Sequence, residues 1–257
     1  MSAVARAARD VAVVCPTYQE GDAIGPFLEQ IRTASGTFRS ARLTELIFVD
    51  DGSTDGTVER IREAERTWTS PRVRLVQRAQ KAGTVSAQIA GFQFASTGLV
   101  VTMDADGQHP VGAIDRLVAA WEPAIDLVVA SRYVSGGTVR WEERRRGVIS
   151  GGARSLSRLM LPGARRVRDP LSGFFLARQD WVAGLPPVPP GYKLLLYVLA
   201  IHPRSEIREV PYEMGVRLAG ESKVIGGFGF IPRFLRELTR YRRAGAAVRR
   251  HPSSSPR

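Results

Sequence analysis

Two hydrophobic rhythms alternate along the chain. Val11–Cys15, Leu43–Val49, Val73–Val76, Leu99–Met103 and Leu127–Ala130 are short, largely apolar runs. Such runs bounded by turn-forming residues read as buried strands. Between them, Ile24–Ile31, Val58–Ala64, Thr84–Ala95 and Ile114–Trp121 carry apolar residues at helical spacing, and Asp55 stands where a cap for the second helix is expected. Strand and helix thus alternate over the first 130 residues, which predicts a parallel sheet with helices on both faces. In such sheets, ligands bind beyond the carboxyl ends of the strands. Three polar clusters fall at those ends: Thr17–Glu20, Asp50–Asp55 and Asp104–Gln108.

Composition narrows the class. The 257 residues are 44% apolar and 24% charged, which fits a soluble globular chain with a core and excludes disorder or a collagen-like fibre. A single cysteine, Cys15, permits no internal disulfide and suits a reducing compartment. No apolar run reaches the roughly 18 residues of a spanning helix. Leu194–Ile201 and Val224–Leu235 are too short, and Pro232 and Arg233 interrupt the second. Met1–Asp10 lacks the apolar stretch of a signal peptide.

The net charge is +12, and its placement is uneven. Residues 1–139 hold 14 basic and 16 acidic side chains, and residues 169–230 hold six of each. The excess lies in residues 140–168, with nine Arg and two Glu, and in 231–257, with eight Arg and one Glu. Two basic clusters flanking a balanced body suggest an anionic partner; a solvated arginine-rich face is the plainer reading.

Three segments offer chemistry. In Asp104-Ala105-Asp106-Gly107-Gln108-His109-Pro110, two carboxylates two residues apart can face one hard cation, and magnesium or manganese takes such oxygen ligands. The same residues also make an ordinary turn. Asp50-Asp51-Gly52-Ser53 can accept hydrogen bonds from a base or ribose, as at dinucleotide sites. Pro16-Thr17-Tyr18-Gln19-Glu20 adds a ring and an acceptor at the same edge. No Gly-x-x-x-x-Gly-Lys-Ser/Thr loop is present, and Gly83–Gly91 does not match a dinucleotide fingerprint.

These segments, with Ser131-Arg132-Tyr133, Gly136-Gly137, Trp141, Arg146–Ser150, Asp169-Pro170-Leu171-Ser172-Gly173-Phe174-Phe175, Gly191-Tyr192-Lys193 and Arg217-x-x-Gly-x-Ser-Lys223, occur in an order that resembles the family 2 glycosyltransferases. The resemblance is to their dolichol-phosphate or polyprenyl-phosphate mannosyltransferase branch and runs from Val11 to about Lys223. It implies a GT-A fold: α/β, Rossmann-like, a mixed, mostly parallel sheet flanked by helices, with C-terminal amphipathic interface helices. Pro16, Tyr18, Glu20, Val49, Asp51 and Lys81 would line the nucleotide-sugar pocket, with Asp104, Ala105 and Asp106 on the ribose and diphosphate. Asp106 and Gln108, with Asp104 as an optional third ligand, would hold magnesium or manganese. Arg132, Arg146, Arg217 and Lys223 would meet donor and acceptor phosphates, with Asp106, Arg132 and Arg146 as the catalytic set. The chain departs from the family at Lys81-Ala82-Gly83-Thr84-Val85, where Lys-x-Gly-Leu-Gly is frequent, and at Phe175, where Arg is frequent.

The implied reaction is inverting transfer of a hexose, first mannose from GDP-mannose, to a polyprenyl phosphate. A UDP-sugar donor giving glucosyl or N-acetylglucosaminyl lipid is the alternative, and a basic nucleic-acid-binding module is the rival from another class. The acidic pocket edge and the absence of a nucleic-acid motif count against that rival. Residues 147–161 and 224–243 mix apolar and arginine faces, as interfacial helices do. The expected partners are therefore a nucleotide-sugar donor, a polyprenyl-phosphate acceptor and an anionic membrane surface, with room for a separate membrane protein. The expected location is peripheral, on the cytoplasmic face of the cell membrane. The expected organisation is a catalytic domain over 1–222, a basic helical segment over 223–250 and a disordered tail over 251–257. His109 is expected as a loop residue set by Pro110, and His202, Trp68, Trp121 and Trp181 as packing residues; Trp141, beside the acceptor arginines, is a candidate for lipid contact, with packing the plainer reading.

Overall fold

The computed structural model describes residues 8–139, 144–187, 191–218 and 230–250. Trp141, Lys223 and the 251–257 tail lie outside them.

The alternating pattern becomes β1 (Arg9–Thr17), α1 (Gly21–Ser35), β2 (Ala41–Asp50), α2 (Thr57–Thr67), β3 (Arg72–Gln77), α3 (Thr84–Phe94), β4 (Leu99–Thr102), α4 (Ala113–Ala120) and β5 (Leu127–Ser131). After it come β6 (Thr138–Val139), α5 (Arg144–Met160), β7 (Phe175–Arg178), α6 (Gln179–Ala183), α7 (Leu194–Ile201), β8 (Ile207–Pro211), β9 (Glu213–Met214) and α8 (Phe230–Arg250). One seven-stranded sheet has the order β3-β2-β1-β4-β7-β5-β8, and β6 and β9 form a small parallel pair. All neighbours in the large sheet are parallel except β7, which runs antiparallel to both β4 and β5. The first 130 residues therefore do not complete a continuous parallel sheet. β7 separates β5 from β4, and neither β7 nor β8 was marked by the apolar pattern.

The period of two sorts the side chains. Val11, Val13 and Cys15 of β1 face a core beneath α1, α2 and α4, while Ala12 and Val14 face the core beneath α3, α7 and α8. Every residue of α7 is buried, as an all-apolar helix must be. The stretch tested above for membrane spanning is thus the middle of the second core. α8 covers it with Phe234, Glu237, Leu238, Tyr241 and Gly245, a helical stripe at i, i+3, i+4, i+7 and i+11. No described helix is long and apolar enough to cross a membrane.

Asp55 is not the cap of α2. Gly56, at φ 87°, takes the cap position, which an L side chain rarely adopts. Asp55 instead accepts the Gly21 N–H at 2.7 Å and the Thr57 hydroxyl at 2.6 Å, tying the starts of α1 and α2 together.

α3 approaches β1 closely at Gly91. A Cβ there would lie 2.3 Å from Val14 Cγ1 and 3.1 Å from Val49 Cγ2. Gly91→Ala should lower unfolding stability by about 1–3 kcal/mol, the usual cost of overpacking, measured by urea denaturation.

Candidate functional site

The carboxyl ends of β1, β2 and β4 end in the three polar clusters. Asp50, fully buried, organises the second cluster. Its Oδ1 accepts the Thr17 hydroxyl at 3.1 Å and the Ser53 hydroxyl at 2.5 Å, and its Oδ2 accepts the Gly52 and Ser53 amides. Asp51 is held from the other side. Arg78 pairs with it closely, and Gly83 N–H donates to its Oδ2 at 3.0 Å. The carboxylate expected on the nucleoside is thus satisfied within the protein and fixes the Lys81–Gly83 loop. Lys81 Nζ stands 3.7 Å above the Tyr18 ring, a cation–π contact joining two of the expected pocket residues. Pro16 and Val49 are paired residues of β1 and β2. Glu20 lies between them and α1, its N–H donating to the Thr57 hydroxyl at 2.9 Å.

The Asp104–His109 loop follows β4. Asp106 is nearly fully buried, and Gln108 N–H donates to its Oδ1 at 2.9 Å. Ala105 is buried beside it. Gly107 takes φ 79°, and a Cβ there would strike Leu218. Asp104 Oδ2 lies 3.5 Å from His109 Nε2, and a Cβ on Gly173 would lie 3.6 Å from that oxygen. His109 lies in the loop, directly before Pro110, as expected. It is buried with its ring centroid 5.0 Å from Phe174 and 5.8 Å from Tyr212, and its Nδ1 has no hydrogen-bond partner. His202 and Trp181 do pack together, centroids 4.5 Å apart.

Two carboxylates this close titrate apart. Burial pushes Asp104 up, but the His109 hydrogen bond and the charges of His109, Lys193 and Arg217 outweigh it and hold Asp104 down to about 2. Burial and the Asp104 charge raise Asp106, against His109 and Arg217.

Cations arrive from later segments. Because β7 is antiparallel, the Asp169–Phe174 loop before it lies at the carboxyl ends of β4 and β5. There Asp169, fully buried, receives Arg132: Nε to Oδ2 at 2.7 Å, Nη2 to Oδ1 at 2.8 Å and the Arg132 N–H to Oδ2 at 3.1 Å. Only Nη1 of Arg132 faces elsewhere, 3.5 Å from Met214 Sδ. Glu209 of β8 in turn accepts the Asp169 N–H at 3.1 Å. Arg132, expected as a phosphate ligand, is therefore first half of a buried pair.

Arg217 Nη1 reaches Asp106 Oδ2 at 3.1 Å. Lys193 stands at the start of α7 and adds a third cation, within electrostatic reach of Asp104, Arg132, Asp169 and Glu237; burial is the largest influence on it and lowers its pKa. Glu237 of α8 accepts the amide N–H of Tyr192 at 2.9 Å and of Lys193 at 3.2 Å, which fixes this turn. Lys193 had no assigned role in the sequence reading, although the Gly191-Tyr192-Lys193 signal carried it. Asp169 and Arg78 had no such role either, because pairing across distant segments leaves no mark in local sequence. Arg146 falls within α5, with its side chain outside the described residues.

The oxygen donors Asp104, Asp106 and Gln108 suit a hard divalent cation, and Asp106 Oδ2 already attracts a positive charge, the Arg217 guanidinium. Among the described residues, no three Asp, Glu, His or Cys side chains form a metal cluster. Any cation here would complete its shell with ligand oxygens, as magnesium does with phosphates.

Residues 12–184 match the model of the glycosyl transferase family 2. The chain is 37% identical over 216 residues to a dolichol-phosphate mannosyltransferase of Pyrococcus furiosus, covering 84% of this chain and 59% of that one. It thus spans about three-fifths of that relative's length. It is 34% identical over 227 residues to the dolichol-phosphate mannosyltransferase of Saccharomyces cerevisiae, covering 84% of this chain and 82% of the relative. Among solved structures, glucosyl-3-phosphoglycerate synthase of Mycobacterium tuberculosis, in complex with Mn2+, UDP-glucose and phosphoglyceric acid, superposes with a TM-score of 0.64. The identity is 23%, over 90% of this chain and 80% of that one. That likeness concerns the fold, which is α/β and GT-A. On the family match and these relatives, the chain belongs to the family 2 glycosyltransferases, in the branch of the dolichol-phosphate mannosyltransferases.

Proposed function

We propose that this chain transfers a hexose, mannose from GDP-mannose, onto a polyprenyl phosphate. The observation that carries the reading is the meeting of an acidic, oxygen-rich loop, Asp104–Gln108, with three cations from later segments, Arg132, Lys193 and Arg217. Two polyanions, a nucleoside diphosphate and a lipid phosphate, need such a setting to approach each other. Guanidinium groups keep their charge at any working pH and grip phosphate oxygens.

No general base is required. A phosphate monoester with a second pKa near about 6 is largely dianionic at neutral pH. The neighbouring carboxylates Asp169 and Glu237 are already committed, to Arg132 and to the turn before α7. An acceptor phosphate oxygen bonds to the sugar C1 as the C1–O bond to the nucleoside diphosphate breaks. The electron pair leaves on the diphosphate, and attack from the opposite face inverts the anomeric centre. Asp106 and Gln108, with Asp104 beside them, would hold a divalent cation, which would supply charge neutralisation on the departing diphosphate. Arg217 and Lys193 orient phosphate oxygens, and Arg132 offers its remaining nitrogen; the family resemblance adds Arg146 and Lys223 to the acceptor phosphate, the first by its side chain and the second wholly outside the described residues. Tyr18, Lys81 and the Asp51-held loop receive the nucleoside.

The basic segment serves the lipid. α8 turns Arg233, Arg236, Arg240, Arg242 and Arg243 outward with the exposed Ile231 and Leu235, and Leu159 of the adjacent α5 is 71% exposed. Apolar side chains ringed by arginines suit the headgroup boundary. The catalytic unit over 1–222 would then sit on the cytoplasmic face of a membrane through the segment over 223–250. In contrast, a nucleic-acid module finds no support in a site walled by Asp50, Asp51, Asp104 and Asp106.

Three outcomes are expected. Asp106→Ala should remove at least about a hundredfold of transfer of labelled mannose from GDP-mannose into an organic-extractable polyprenyl phosphate. Label from UDP-glucose alone would replace the donor, and retained configuration at C1 would replace the mechanism. Because Asp106 titrates above the ordinary 3.8 and Asp104 below it, a Mn2+ titration between about pH 4 and 7 should show affinity falling as Asp106 takes up a proton, with Asp104 still ionised. The Asp104→Asn variant should shift that midpoint downward, since the charge that raises Asp106 is gone. Finally, basic residues near an anionic surface contribute about 1 kcal/mol each. Replacing Arg233, Arg236 and Arg240 with Ser should cut co-sedimentation with phosphatidylserine-containing vesicles by on the order of a hundredfold at low salt.

A further inference from the structure

The segment after β9 is fastened along the Asp104–Gln108 loop. Gly215 N–H donates to the Gln108 carbonyl at 2.9 Å, Leu218 N–H donates to the Asp106 carbonyl at 2.9 Å, and Gln108 Nε2 lies 3.4 Å from the Gly215 carbonyl. Leu218 packs on Gly107 so closely that a Cβ there would lie 2.3 Å from Leu218 Cγ. The main chain on either side of Arg217 is thus anchored, which keeps its guanidinium within reach of Asp106. The loop's own amide, from Gln108, occupies Asp106 Oδ1. The other oxygen, Oδ2, accepts no backbone amide among the described residues, and Arg217 Nη1 lies 3.1 Å from it.

We infer that Arg217 is an internal cation that competes with the divalent metal for Asp106 Oδ2 in the absence of nucleotide, and exchanges this carboxylate for the diphosphate when the donor binds. The inference deepens the proposed function and rests on its reading of Asp106 and Gln108 as metal ligands. The electrostatic logic is direct. With no ligand present, Asp104 and Asp106 repel, and one guanidinium offsets part of that repulsion. A dication entering alone must share one carboxylate oxygen with a fixed positive charge, which opposes binding. A diphosphate brings enough negative charge for both cations and gives Arg217 bidentate acceptors better than the one oxygen it leaves. Metal and nucleotide then bind with positive coupling, and the coupling is reciprocal. The consequence is that metal loads together with donor, so the chain does not hold metal in an unproductive state.

The two roles separate by sign. An arginine that only props the loop would, on removal, weaken metal binding or leave it unchanged. A competing cation would, on removal, tighten it. Arg217 is partly exposed, with 26% of its side chain accessible, so Arg217→Gln is compatible with folding, which circular dichroism and the unfolding midpoint verify. Mn2+ alone is titrated into the full chain, with free Mn2+ read by electron paramagnetic resonance. GDP and UDP are then titrated at saturating Mn2+ by calorimetry. The expected result is Mn2+ affinity about two- to fivefold tighter in Arg217→Gln without nucleotide, and nucleoside diphosphate affinity weaker by at least a similar factor. Arg217→Lys, which keeps the charge, should stay near the native Mn2+ affinity. Unchanged or weaker Mn2+ binding in Arg217→Gln overturns the inference. The Asp106→Asn variant keeps the two readings apart. If it abolishes Mn2+ binding while Arg217→Gln gives no tightening, the metal site stands and only the competition fails. If Mn2+ binding survives Asp106→Asn, both fail together.

Discussion

The antiparallel pairing of β7 between β4 and β5 is the constraint on which the site depends. Strands entering a parallel sheet deliver their loops alternately to its two ends. A single reversed strand delivers the loop before it to the end where the ligand loops already are. Here that loop carries Asp169, Ser172, Gly173 and Phe174. Gly173 comes up against Asp104, Phe174 packs on His109, and Asp169 captures Arg132 from the end of β5. β8, parallel to β5, then sends residues 212–218 to the same edge, which brings Arg217 onto Asp106. Without the reversal, Asp169, Gly173 and Phe174 would not stand at this edge, and Arg132 would lack its buried carboxylate partner.

Charge balance in the site follows from burial. A carboxylate out of water needs a partner, and each buried one has found its own: Asp50 its amides and hydroxyls, Asp51 Arg78, Asp169 Arg132, and Asp106 Arg217. These pairs differ in what they leave available. Arg78 and most of Arg132 are consumed in holding the pocket's walls, whereas Arg217 is partly exposed, and under the proposed function it and Lys193 would meet the anionic ligand. The same type of residue therefore frames the site in one place and serves it in another.

The C-terminal helix links the basic surface to the site. Its buried stripe includes Glu237, whose carboxylate fixes the turn that carries Lys193, and Tyr241, whose hydroxyl leaves no space for a Cβ on Gly191. Its opposite side exposes arginines and a few apolar residues. One helix thus meets the core, the turn beside Asp104 and the outer face together. In packing, α8 is continuous with the body of the chain, because Phe234, Leu238 and Tyr241 close the second core over α7.

The sequence alone determined the strands and helices of the first 130 residues, the edge of the sheet where the polar clusters gather, the two basic segments, and, through a series of motifs in order, the family. Those features are local. Apolar spacing and turn residues act on the nearest turn of chain, and a motif is read from adjacent positions. What only the tertiary structure decided was pairing at a distance: β7 between β4 and β5, Asp51 with Arg78, Arg132 with Asp169, Arg217 with Asp106, and the backbone amides of Tyr192 and Lys193 with Glu237. The reason is physical. β7 is too short and too evenly buried to show a period, and a buried charge is assigned its partner by the fold that excludes water around it. A sequence therefore carries the list of charges at this site, while the packed structure decides which of them neutralise one another and which remain for the ligand.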